Sequence, residues 1–165
     1  EAAHTGMFDL APFAPDPWGG ETDYARNSDV TLEGDFLSED FCVMDGKYFM
    51  VRCVIEIPVH GLEHSFGFGC WGSLSQTNFE TYLEQFDSGN YQGVGPWSSW
   101  LCNRFCDYIG TDPVSCRMYP QLDRQRPVLK VQDEDHPLGR DQREGVSPER
   151  VLEYYQHYGH SPKLG

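Results

Sequence analysis

The chain has 165 residues, 39% hydrophobic and 14% aromatic, so it is long enough to bury a core and too apolar for a disordered segment. Twelve Lys and Arg stand against 26 Asp and Glu, a formal charge of −14. That balance argues against nucleic acid and anionic membranes as partners, since both are held through clustered cations.

Residues 1–165 read as one domain, with an N-terminal arm (1–40) and a body (41–160). The arm is rich in Pro, Gly and acids. Phe8, Phe13 and Trp18 are spaced around Pro12, Pro15 and Pro17, which suggests an extended segment anchored to the body by its rings. Residues 41–44 and 47–57 are apolar runs flanking Asp45 and Gly46, a dipeptide suited to a hairpin turn with positive φ. In the second run Val51, Cys53, Ile55 and Ile57 share one face and Arg52 and Glu56 the other, predicting a sheet with one wet side.

Residues 66–74 alternate in the same way and predict a third antiparallel strand. Ser75 can cap a following helix, in which Phe79, Tyr82, Leu83 and Phe86 form a buried stripe. Further strands are expected over 97–105, 114–119 and 127–131. A last helix begins at Ser147 and Pro148, with Val151, Leu152, Tyr155 and Tyr158 as its apolar face. Strands that cluster without a helix between each pair indicate an α+β fold: an antiparallel β-sheet packed against two main helices, with the extended Pro/Gly-rich arm.

Six cysteines, at 42, 53, 70, 102, 106 and 116, are few for a chain with its own core, so reduced thiols in a cytoplasmic protein are expected. No run reaches the roughly 20 apolar residues that span a bilayer, and the first residues do not resemble a signal peptide.

Several patterns invite a chemical reading. His60 to His64 spell HxxEH, a zinc-peptidase spacing that needs a helix, yet Pro58 and Gly61 oppose one, so a polar hairpin loop is favoured. Gly67, Gly69 and Gly72 spell GxGxxG inside a strand, the wrong place for a dinucleotide turn. Cys102, Cys106 and Cys116 lack the paired spacing of a zinc knuckle. Asp133, Glu134 and Asp135 before His136 place carboxylates beside an imidazole, an arrangement more often a capped turn than an acid–base pair. Trp97, Trp100, Tyr91 and Tyr108 crowd a Gly- and Pro-containing region, where core packing competes with lining a groove.

Four ordered segments resemble a known family. FCVMDGKYFMVRCVIEIPV (41–59), FGFGCWGSLSQTNFETYLEQFD (66–87), PWSSWLCNRF (96–105) and RPVLKVQDEDHPLGRDQREGVSPERV (126–151) are similar to the bacterial family called domain of unknown function 2199. Its C-x-I-D hairpin, W-x-SLS-x-x-NF junction, W-L-x-N element and DHPL…Q-x-x-G-I-S segment correspond to stretches starting at Cys42, Trp71, Trp100 and Asp135. The resemblance implies a bacterial protein without an assigned activity. It also implies a metal-ribbon segment ending near His4 and Gly6, although the family's CxxC pair is missing from this sequence.

The expected function is an acidic, nonenzymatic binding protein, immunity-type or regulatory, that docks a protein with a basic surface. Trp71, Trp97 and Trp100 would line the docking groove, with Asp133, Asp135 and His136 at its rim. Two alternatives stand beside it: a metal- or thiol-dependent enzyme built on His136 with nearby Asp or Cys, and a small-molecule sensor with an aromatic pocket. No cofactor is expected; zinc, with His60 and His64 as ligands, is the weak alternative.

Overall fold

The computed structural model describes residues 12–21, 23–104, 108, 113–133 and 135–157. Its strands are β1 (Phe36–Leu37), β2 (Phe41–Met44), β3 (Tyr48–Pro58), β4 (Ser65–Leu74), β5 (Trp97–Trp100), β6 (Ser115–Tyr119) and β7 (Val128–Val131). The helices are α1 (Gln76–Glu84), α2 (Pro137–Glu144) and α3 (Pro148–His157). The expected turn joins β2 to β3, with Asp45 at φ 57° and Gly46 at φ 62°.

β3 is the hub of the sheet. β4 pairs with it antiparallel from Phe49–Leu74 to Pro58–Ser65. On its other edge β2 pairs antiparallel with the first residues, and β7 follows in parallel at Val54–Val128. The sheet is therefore mixed, which corrects the antiparallel expectation. A period of two is common to both pairings, and β7 reaches β3 only after α1, β5 and β6 have intervened.

From β7 the order runs through β6 to β5, both antiparallel. The curled sheet then meets itself, because Gly72 of β4 bridges Leu101 just beyond β5 and the Cys102 N–H donates to the Trp71 carbonyl at 2.8 Å. Gly72 lets the closure pack closely: a Cβ there would meet Ser99 Oγ at 2.7 Å, Met118 Cε at 2.9 Å and Leu129 Cδ1 at 3.1 Å.

The concave face holds the main core, including Val51, Ile55, Phe66, Phe68, Met118 and Leu129. α1 covers part of it with Phe79 and Tyr82, and Ser75 Oγ accepts from the Asn78 N–H as expected. α3 packs Tyr154 and Tyr155 on Phe66. On this helix Leu152 is exposed and Tyr154 buried, so the stripe is Val151, Tyr154 and Tyr155; Tyr158 lies outside the described residues.

Three helices, not two, are present among the described residues. α2 was hidden by its polar sequence, and its Gly139 is needed because a Cβ would sit 2.8 Å from the Asp133 carbonyl oxygen. The opposite face of β3 and β4 is wet only in part: Tyr48 is exposed and Glu56 half-buried, whereas Arg52 is covered. Arg52 lies buried, donating to the Pro12 and Glu39 carbonyls and the Tyr24 hydroxyl. From Pro12 to Asp35 the expected arm runs through turns, bends and a short 3-10 segment (Asn27–Asp29); Phe8 lies outside the described residues.

Candidate functional site

The tryptophans expected to share a groove are separated. Trp71 is fully buried in a small cluster with Leu37, Cys42 and Met50, its ring beneath the Arg52 guanidinium at 5.3 Å. Trp97 is buried on the other face, edge-on to Tyr82. Burying such a ring removes about 150–250 Å² from water, roughly 4–6 kcal/mol, and leaves nothing for a partner to touch. Tyr91 and Tyr108 are buried as well. Trp100 alone of the three tryptophans is open, at 53% exposure. It stands three residues after Trp97 on one strand, and an odd separation puts the two on opposite faces.

Trp100 borders a groove of about 640 Å³. One lip is the β2–β3 hairpin, with Met44, Lys47 and Tyr48. The other walls are the β4–α1 junction (Ser73, Leu74, Ser75, Asn78) and β5 (Ser98, Ser99, Trp100), with Pro17 also in the lining. Tyr48 is 59% exposed, so two aromatic rings, Tyr48 and Trp100, are offered to solvent beside the same groove. Lys47 is the charged residue of its lining among the described residues. The sequence reading missed Tyr48, although its position beside Phe49 on β3 places it on the face opposite the core.

The acidic turn is elsewhere, and none of Asp133, Asp135 or His136 lines the groove. His136 is the N-cap of α2: its Nδ1 accepts from the Leu138 N–H at 3.1 Å, with Pro137 beginning the helix. Asp133 Oδ1 accepts from the Asp135 N–H at 3.0 Å, and both acids are exposed. One of the two imidazole nitrogens is thus engaged in holding a helix end.

His60 and His64 lie in the β3–β4 turn, not on a helix, and His60 Nε2 donates to the Glu144 carbonyl at 2.9 Å. Among the described residues no three His, Cys, Asp or Glu side chains gather as a metal site. Burial pushes Cys42, Cys102 and Cys116 up to about 12, and Cys53 is raised by burial and by Cys70, whose sulfur lies 3.7 Å away. Cys106 lies outside the described residues. Gly67, Gly69 and Gly72 are within β4 and precede the β4–α1 junction at Ser75, so they do not form the turn that would hold a pyrophosphate.

Residues 1–146 match the family described as "Uncharacterized protein conserved in bacteria (DUF2199)". The chain belongs to DUF2199. No curated protein matches it, and no solved structure does. Every residue of the groove falls inside the DUF2199 match, whereas α3 begins beyond it. Among the described residues of this DUF2199 chain no helix is long and apolar enough to cross a membrane.

Proposed function

We propose that this DUF2199 protein is a nonenzymatic binding protein of the bacterial cytoplasm that docks a basic protein on the face carrying the Tyr48–Trp100 groove, in an immunity-type or regulatory role. One observation carries the reading: Tyr48 and Trp100 stand more than half exposed at a single groove, while Trp71, Trp97, Tyr91 and Tyr108 are buried. Exposed aromatic rings beside a cleft are the usual energetic centre of an interface. The charge of −14 supplies long-range attraction for a cationic partner, and Asp16 and Asp45 adjoin the groove residues Pro17 and Met44 in the chain.

The test is quantitative capture of cell-extract proteins by the native chain and by the Tyr48→Ala/Trp100→Ala double variant. A basic protein should be held stoichiometrically at about 50 mM salt, released at about 500 mM as screening shortens the range of attraction, and lost from the double variant. Equal retention by the double variant, or indifference to salt, refutes the proposal.

A further inference from the structure

Building on that docking reading, we infer that the partner brings a carboxylate-bearing segment to the outer face of β5, β6 and β7, where Arg117 and Lys130 hold its acidic side chain beside Trp100. The register lays a row across three strands. Ser98 of β5 lies opposite Arg117 of β6, and Arg117 lies opposite Lys130 of β7. All three are exposed, because Cys116, Met118 and Leu129 take the core side of the same strands. The adjacent row pairs Trp100 with Ser115, and both line the groove together with Ser98.

Arg117 facing Lys130 is an unfavourable pair, since like charges directly opposite on a sheet face repel. Nothing beside them answers it. The strands read WSSW, SCRMY and VLKV, with no carboxylate among them. Among the described residues neither cation forms an ion pair, and Lys130 rests on the Tyr119 ring at 4.9 Å. In a chain with 26 acids and 12 Lys and Arg, two unneutralised cations set face to face are a local conflict of the kind that binding sites retain.

The same cations decide what can touch this face. Lys47, the charged residue in the groove lining, is also positive, so a uniformly basic surface laid over Trp100 would set like charge against Lys47, Arg117 and Lys130. An acidic side chain flanked by apolar ones avoids that repulsion. Its carboxylate accepts from Arg117 and Lys130, and its apolar neighbours lie against Trp100 and Tyr48. The net charge of −14 then draws in a partner that is basic outside the contact.

The probes are two labelled peptides, acetyl-Leu-Glu-Leu-Glu-Leu-amide and acetyl-Leu-Lys-Leu-Lys-Leu-amide, read by fluorescence anisotropy at low salt. The Glu peptide should bind the native chain more tightly than the Lys peptide, against the sign of the net charge. Arg117→Glu should weaken the Glu peptide about fivefold or more. It should do so at no loss in the urea midpoint, because an opposite-charge pair replaces a like-charge one. In extract capture the same variant carries more negative charge, so long-range attraction alone would tighten the hold on a basic protein, whereas contact through the Arg117–Lys130 row requires a weaker hold. Preference for the Lys peptide, binding of neither peptide, unchanged Glu-peptide binding in Arg117→Glu, or unchanged or tighter capture by that variant refutes the inference. The docking reading survives each of these results if the native chain still holds a basic protein that Tyr48→Ala/Trp100→Ala loses, and falls if it does not.

Discussion

Replacing Gly72 by alanine places a methyl group where the curled sheet closes. The added carbon would stand 2.7 Å from Ser99 Oγ, 2.9 Å from Met118 Cε and 3.1 Å from Leu129 Cδ1. All three are side-chain ends that can give way, so overpacking should cost about 1–3 kcal/mol, offset by about 0.4–1 kcal/mol from a stiffer unfolded chain. The net loss is then about 1–2 kcal/mol, or roughly 3–6 °C in Tm for a domain of this size. Ser99 offers an internal control, because its buried hydroxyl has no hydrogen-bond partner among the described residues. Ser99→Ala alone should be neutral or stabilising by up to about 1 kcal/mol. In the Gly72→Ala background it also removes the nearest obstacle, so it should recover about 0.5–1 kcal/mol more than it does alone. Urea unfolding of the four proteins, followed by tryptophan fluorescence, measures this coupling. Native stability in Gly72→Ala, or an identical effect of Ser99→Ala in both backgrounds, would show that the closure is not packed as described.

Three other outcomes follow from the geometry. His136→Ala should lower stability by about 1 kcal/mol in urea unfolding through loss of the α2 cap, and His136→Asn should restore most of it; a neutral alanine variant would contradict the capping role. Arg52→Lys should cost about 1–3 kcal/mol, since an ammonium cannot reproduce a planar group set against Trp71 and Tyr24 and bonded to three oxygens. It should also speed chymotryptic cleavage in residues 12–24, and unchanged cleavage would argue against Arg52 as their anchor. Stability should fall in alkali. Cys42, Cys102 and Cys116 are pushed from 9.0 up to about 12, so their contribution is complete below pH 9 and is lost between pH 9 and about 12, as the unfolded chain releases protons that the folded one keeps. The urea midpoint should decline over that range, and less so in Cys42→Ala; a flat profile would refute it.

Local chemistry made part of this fold readable in advance. The Asp45–Gly46 turn and the Ser75 cap each depend on a few neighbouring residues, and both were found where the sequence placed them. The parallel entry of β7 was not readable, because alternation says which residues share a face but not which strand lies alongside. Arg52 looked solvent-facing for a similar reason: the Tyr24 hydroxyl and Pro12 carbonyl that it bonds are remote in the chain. α2 escaped because PLGRDQRE buries only Leu138 and Gly139. Its signals were the His136–Pro137 start and the Gly145 end, which has φ 83°. At the groove, the spacing of Trp97 and Trp100 already implied opposite faces, whereas the place of Tyr48 beside Trp100 depended on β5 arriving next to the hairpin.

The short clasp of Gly72 on Leu101 and Trp71 on Cys102 gives the molecule an order of failure. The β3–β4 ladder, running from Phe49–Leu74 to Pro58–Ser65, should outlast that clasp, so breathing begins at Trp71 and Cys102 and spreads along the seam toward Ser98.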